Sequence, residues 1–110
     1  MRARLTTELW VSAYLTRLRL ADIPVYIAAK GDATAGAVGG KGPTLDGMAR
    51  AFQRGYDLLA DRPVWMVLAE GAEAEVDQAL ARQRKRDSDL WLIELEDRRG
   101  RTLLGEEGLD

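Results

Sequence analysis

The feature that most constrains this chain is the apolar arc on its first predicted helix. Thr6 or Thr7 can cap this helix, which holds Glu8 in its first turn, continues to about Ala21 and ends before Pro24. At about 100° per residue, the polar side chains share one narrow face. Apolar side chains fill most of the remaining circumference: Leu9, Trp10, Val11, Ala13, Tyr14, Leu15, Leu18 and Leu20. An arc of this width predicts that the helix is contacted on two sides.

A hairpin is predicted after this helix. Residues 25–30 are β-branched and aromatic enough for a strand, and the turn-rich segment 31–35 links them to a second run at 36–41. The second strand contains Gly39 and Gly40, which supply no side chain. Their presence indicates a bulge or close packing by another element.

The second half of the chain continues with strands and one clear helix. Residues 48–59 fit both a helical stripe and one face of a strand, and the flanking turn signals favour the strand. Residues 64–69 form an apolar β segment, and residues 72–86 have the narrow apolar stripe of a helix that lies on a sheet. Residues 90–96 alternate as a strand, and the chain from about residue 100 is predicted to be a loosely held tail.

These elements predict one α+β domain over residues 1–110, in the order α-β-β-β-β-α-β. We expect a mostly antiparallel sheet of four to five strands, with the two helices packed on one face. A chain of 110 residues has the size of a single domain with one core.

The chain contains no cysteine and no histidine. This excludes disulfides, thiolate and imidazole metal ligands, and nucleophilic mechanisms that use Cys or a His base. Any catalysis is limited to carboxylates, Lys, Tyr, hydroxyl groups or a metal held by oxygen atoms, and we expect no cofactor. The formal net charge of -2 gives no overall attraction to nucleic acids or to anionic membranes. The absence of cysteine and histidine favours a protein without enzymatic activity.

A glycine-rich segment at residues 36–42 invites comparison with a phosphate-binding loop. The spacing does not fit, because the position of the first glycine is Ala35 and the position of the hydroxyl residue is Gly42. The preferred interpretation is a strand in which the glycines leave gaps in the row of side chains.

The densest basic cluster gives one alternative function, association with nucleic acids. It comprises Arg82, Arg84, Lys85 and Arg86, with Arg98, Arg99 and Arg101 nearby in the sequence. The preferred interpretation is structural, since cations at the end of a helix that begins with acidic residues interact favourably with the helix dipole.

A carboxylate group gives a second alternative, a small metal-dependent enzyme. Glu94, Glu96 and Asp97 lie close in sequence, and Asp32 or Asp46 could complete a site for a hard cation. The preferred interpretation is a solvent-exposed strand face.

Arg17 is the polar residue that projects into the apolar arc of the first helix. Its aliphatic part can lie along the apolar surface while the guanidinium reaches water. The alternative is an ion pair with a carboxylate such as Glu94 or Asp97, or a contact at an interface.

Several short motifs together give the chain a family resemblance. They are Arg4-Leu5, Glu8-Leu9-Trp10-Val11, Gly31-Asp32, Ala35-Gly36-Ala37, Leu45-Asp46-Gly47, Arg86-Asp87-Ser88-Asp89-Leu90-Trp91 and Glu94-Leu95-Glu96-Asp97. With these motifs, residues 1 to about 109 resemble a family of short alphaproteobacterial proteins known as domain of unknown function 1491. The resemblance implies a bacterial cytoplasmic α+β protein and assigns no catalytic residue.

The leading hypothesis is a small cytoplasmic, non-catalytic binding or assembly domain that forms a homodimer, because the arc of the first helix needs cover. No run of apolar residues approaches the length of a membrane span, and we expect no membrane association. The candidate binding residues are Arg17, Asp32, Asp46, Arg82, Arg84, Arg86 and Glu94.

Overall fold

The computed structural model describes residues 6–44, 47–97 and 99–104. Its elements are α1 (Thr7–Leu20), β1 (Val25–Ala29), β2 (Val38–Pro43), β3 (Met48–Asp57), β4 (Arg62–Ala72), α2 (Glu73–Arg86) and β5 (Trp91–Leu95). The predicted α+β class and element order are confirmed, and the ambiguous segment after residue 48 is a strand. In this part of the chain, neither helix is long and apolar enough to cross a membrane.

Helix α1 begins as its sequence predicts. The hydroxyl of Thr6 accepts a hydrogen bond from the amide of Leu9, and Glu8 lies in the first turn. The amides of Thr7 and Glu8 donate to carbonyl groups of the loop after β1, so this end of the helix is also held from outside. The buried side chains of the helix form one stripe: Trp10, Val11, Tyr14, Leu15 and Leu18.

The sheet is mixed, with the strand order β1-β5-β2-β3-β4. Three neighbouring pairs are antiparallel, and β2 and β5 are parallel. The predicted hairpin of β1 and β2 is therefore wrong, because β5 lies between these two strands. The loop that joins them bonds to β5 instead: the amide of Asp32 donates to the carbonyl of Asp89, and the amide of Trp91 donates to that of Ala37.

The two helices cover opposite faces of the sheet, which corrects the prediction that both pack on one face. Alternate residues of β5 show this arrangement, since Trp91, Ile93 and Leu95 belong to the core under α1. Leu92, between them, packs against the separate cluster under α2. Both faces of β5 are therefore covered, and its alternating sequence does not mark a solvent-exposed side.

An aromatic cluster forms the core beneath the first half of α1. The rings of Trp10 and Tyr14 stack at 5.1 Å, and Trp65 of β4 lies 5.5 Å from Trp10 and 5.7 Å from Phe52. A Cβ atom on Gly40 would lie 2.5 Å from the ring of Phe52. The close packing predicted at this glycine is present, and the pairing of β2 with β3 passes through it without a bulge.

Residues at the start of the predicted tail cover a further part of α1. The Tyr14 hydroxyl donates a hydrogen bond of 2.8 Å to the carbonyl of Thr102, and Leu103 and Leu104 pack against the α1 core. The two-sided contact predicted for the helix is thus made within one chain, by the sheet and by this segment. Leu9 and Leu20, which belong to the predicted apolar arc, are still 57% and 81% exposed, and the homodimer stays a prediction.

Candidate functional site

A cleft of about 190 Å³ opens on the α1 side of the sheet, where β2 and β5 end and β3 begins. The buried side chains of Phe52 and Leu95 give it an apolar floor. Three arginines belong to its lining, Arg50, Arg99 and Arg101. The remaining described residues of the lining are Gly42, Pro43, Thr44, Gly100 and Thr102.

Arg50 is held across the β3–β4 pair by Glu70. Its Nε and Nη2 atoms donate to one carboxylate oxygen of Glu70 at 3.3 and 2.8 Å. Both side chains are about half exposed, so the pair is solvated and contributes little to stability. These contacts use two of the five N–H donors of the guanidinium.

Arg101 is positioned by a tight turn that closes on Asp97. Its Nε and Nη2 atoms donate to the two carboxylate oxygens of Asp97 at 3.0 and 3.2 Å, and its backbone amide donates to the same group at 2.8 Å. Gly100 makes the turn possible, because its φ of 70° lies in the left-handed region. The hydrogen bonds from Arg101 hold the pKa of Asp97 below its usual value. Asp97 therefore remains ionised.

Arg99 lies in the same turn, between the two ends of this ion pair. Its side chain is exposed and has no hydrogen bond or ion pair with any residue that the structure describes. Because Glu70 and Asp97 offset Arg50 and Arg101, Arg99 gives the cleft a surplus positive charge in a chain of net charge -2. A guanidinium beside an apolar floor suits a carboxylate or phosphate that carries a short apolar group.

The cleft offers little for catalysis. Among the described residues that line it, Thr44 and Thr102 carry hydroxyl groups, and none is a carboxylate, a lysine or a tyrosine. An arginine does not lose its proton in the physiological range. The lining therefore provides binding groups without a general base.

A second polar cluster lies on the opposite face of the sheet, around Lys41 of β2. Lys41 is only 8% exposed, and its Nζ atom lies 2.7 Å from Asp77, 3.0 Å from Glu73 and 3.1 Å from Glu94. Burial opposes protonation of this amine, but the hydrogen bonds to the three carboxylates outweigh burial and raise its pKa. Lys41 is therefore held as a cation by the surrounding carboxylates.

Sequence patterns did not single out Lys41. One signal was present, since Glu73 and Asp77 are spaced by four residues and lie on one face of α2. Glu94, a predicted site residue, belongs to this ion cluster and also bonds to Tyr26, which raises the pKa of the Tyr26 hydroxyl.

The other predicted site residues do not meet in one place. Asp32 organises the loop before β2, where its carboxylate accepts bonds from the amides of Thr34 and Ala35 and its carbonyl accepts one from the Trp91 indole. Arg17 is exposed on α1. Asp46 lies outside the described residues.

The basic cluster of α2 lies at the end of the sheet opposite the cleft. Arg84 donates to the carbonyl groups of Lys30, which follows β1, and of Ser88, which precedes β5. Arg82 and Arg86 are exposed. Proximity in sequence groups Arg99 and Arg101 with this cluster, whereas in the structure they lie at the cleft, and Arg98 lies outside the described residues.

The carboxylates proposed for a metal site are also dispersed. Glu94 pairs with Lys41, Asp97 pairs with Arg101, and Glu96 is exposed. Across residues 6–44, 47–97 and 99–104, no group of three or more acidic side chains is arranged to hold a metal ion.

Comparisons with known proteins agree on one family. The sequence profile described as "Protein of unknown function (DUF1491)" matches residues 5–105. A crystal structure of a DUF1491 family protein from Caulobacter crescentus CB15 is similar, with 35% identity, a TM-score of 0.84 and coverage of 94% of this chain and 97% of that one. An NMR structure of a DUF1491 family protein from the same organism has 34% identity, a TM-score of 0.83 and 96% coverage of both chains.

A third solved structure is more distant. The solution structure of protein Atu0922 from A. tumefaciens has 28% identity, a TM-score of 0.72 and 92% coverage of both chains. No curated protein matches the sequence significantly.

Proposed function

This chain belongs to the DUF1491 family of proteins of unknown function, and from that premise we propose that it is a non-catalytic binding domain whose ligand site is the arginine-lined cleft. The observation that carries the proposal is Arg99, an arginine of the cleft lining that makes no hydrogen bond or ion pair with the described residues and shares the lining with the apolar side chains of Phe52 and Leu95. Arg99 is exposed and its charge interacts with that of Asp97, but its N–H groups make no described hydrogen bond, so they can donate to an anion in the cleft.

The dimensions of the cleft limit what it can bind. Sites for drug-sized ligands have volumes of about 300–1,000 Å³, whereas this cleft has about 190 Å³. It therefore suits one small anionic group with a short apolar extension, either as a free molecule or as part of a larger partner. The floor formed by Phe52 and Leu95 favours an apolar extension over a second charge.

The proposed setting is the bacterial cytoplasm. The similar solved structures come from bacteria, and a chain without cysteine does not need an oxidising compartment to fold. Fractionation of cells that express a tagged chain tests this location.

An NMR titration with butanoate tests the proposed binding site. We expect butanoate to shift the amide signals of Gly42, Phe52 and residues 99–102, and Arg99→Ala to weaken binding roughly tenfold or more through loss of a charge-assisted hydrogen bond. Arg82→Ala is the matched control, because Arg82 is exposed at the other end of the molecule.

Butylammonium and butanol serve as cationic and neutral controls of the same length. Equal responses to all three compounds, or shifts that do not centre on the cleft, would contradict an anion-selective site.

A further inference from the structure

The hairpin formed by β3 and β4 extends beyond the rest of the sheet. The pairing of β2 with β3 stops at Gln53, whereas β3 and β4 remain paired as far as Asp57 and Arg62. At the tip, the carboxylate of Asp57 accepts hydrogen bonds from the amides of Leu59 and Ala60, at 3.0 and 3.2 Å. An Asx turn of this kind fixes the backbone of the tip.

This turn presents two leucines to solvent. Leu58 is 84% exposed and Leu59 is 100% exposed, although both belong to a residue type that is usually buried. Aspartates flank them, so the tip segment, residues 57–61, reads Asp-Leu-Leu-Ala-Asp and carries a formal charge of -2. The tip therefore combines an apolar centre with negatively charged edges.

The cleft has the opposite character, with an apolar floor and arginines around it. We propose that the tip segment of one copy binds in the cleft of a second copy of this chain, a proposal that rests on the proposed function of the cleft as an anion-binding site. A leucine occupies the floor, and Asp57 faces the arginines. Charge complementarity and apolar complementarity thus favour the same occupant.

A chain cannot fill its own cleft in this way. Strand β3 runs from Arg50, beside the cleft, to Asp57 at the tip, and seven residues of strand span ~23 Å. Tip and cleft therefore lie at opposite ends of the hairpin, and each copy offers one of each. Two copies side by side in antiparallel orientation make both contacts, while head-to-tail contacts that do not close produce a longer chain.

Two variants separate the partners of this contact. Leu59→Ser changes the tip and Arg99→Glu changes the cleft, and both positions are exposed, so the fold is retained. By analytical ultracentrifugation, we expect wild type to associate between low and high micromolar concentration. Each variant alone raises the dissociation constant roughly tenfold or more, because burial of a leucine or an ionic contact is lost.

A mixture of the two variants gives the sharpest result. The intact tip of Arg99→Glu fits the intact cleft of Leu59→Ser, so one contact is fully intact in the mixture and none is in either variant alone. The mixture therefore forms a one-to-one complex at concentrations at which each variant alone is monomeric. Ile27→Ser is the control, because Ile27 is 40% exposed on β1, at the opposite edge of the sheet from the β3–β4 hairpin, and pairs with Ile93 in the middle of β5. A wild type that remains monomeric, a mixture that does not form the complex, or equal loss in Ile27→Ser overturns the proposal.

The butanoate titration, repeated on Leu59→Ser, distinguishes failure of the tip-in-cleft contact from failure of the proposed anion-binding function. If this variant binds butanoate at the cleft while wild type remains monomeric, the cleft binds anions and the tip is not its occupant. If neither binding nor association occurs, both proposals fail.

Discussion

Lys41 shows how one residue can determine what a cluster of charges is able to do. Three carboxylates surround its ammonium group, and two of them are more than half exposed. Without the lysine, these three carboxylates would repel one another. With it, the cluster is an internal ion network that ties α2 and β5 to β2.

Removal of this cation is expected to destabilise the fold. Lys41→Met should lower the free energy of unfolding by about 1–3 kcal/mol, less than for a fully buried pair because two of the carboxylates can be hydrated. Lys85→Met, at an exposed position of α2, should change it by less than about 0.5 kcal/mol. Urea denaturation at neutral pH measures both, and equal stability of Lys41→Met and wild type would show that the cluster contributes nothing.

At the scale of elements, the loop between β1 and β2 explains the main failure of prediction. Turn-forming residues at 31–35 favour a hairpin locally, but this loop closes around the start of β5. A Cβ atom on Gly31 or Gly36 would lie 2.0 or 2.3 Å from the carbonyl oxygen of Asp89. These glycines allow the loop backbone to pack against the backbone of Asp89, which is more than 50 residues away in the sequence. A local sequence pattern carries no signal of a contact over this separation.

Gly36→Ala tests this role of the loop. The new methyl group would collide with the backbone of Asp89, and we expect a loss of about 1–3 kcal/mol of stability. Gly42→Ala is a matched control, because its Cβ would meet only Leu95 at an ordinary 3.9 Å, and it should cost less than about 0.5 kcal/mol.

Hydrogen exchange locates the effect of this substitution. The amide of Trp91, which donates to Ala37, should exchange faster in Gly36→Ala than in wild type. Unchanged exchange at Trp91 would show that the loop does not hold β5 in place.

At the scale of the whole molecule, the sequence predicts the class and order of elements because these depend on local periodicity. Both helices are examples, whereas the strand after residue 48 is ambiguous by periodicity and is predicted from the flanking turn signals. The cleft could not be predicted, because Arg50 and Arg99 meet only after β3 and the segment after β5 are brought together. The same holds for Lys41, whose three partners come from α2 and β5.

Stability at alkaline pH is a property of the whole molecule that follows from two buried groups. Hydrogen bonds to carboxylates raise the pKa of Lys41 despite its burial, and burial raises the pKa of Tyr14. Above pH ~10 the unfolded chain loses both protons while the folded chain keeps them. The unfolded state then binds fewer protons, so stability falls as pH rises, by about 1.4 kcal/mol per pH unit for each group.

Denaturation across this pH range checks the sign and the source of the effect. In Tyr14→Phe and in Lys41→Met, stability should fall less steeply above pH ~10 than in wild type, because each variant lacks one of the two protons. Below pH ~9 all three slopes should agree. If the fall of stability with pH above ~10 is as steep in both variants as in wild type, Lys41 and Tyr14 are not its source.

The position of β5 has a further consequence for the order of events during synthesis. Among the described strands, β5 alone links β1 to the rest of the sheet, yet its residues, 91–95, are translated after the other four strands. Until they leave the ribosome, β1 has no strand to pair with and β2 has an open edge. The last strand to be synthesised is therefore an interior strand of the sheet. A nascent chain that stalls before residue 91 exposes unpaired strand edges, which can bind chaperones or aggregate.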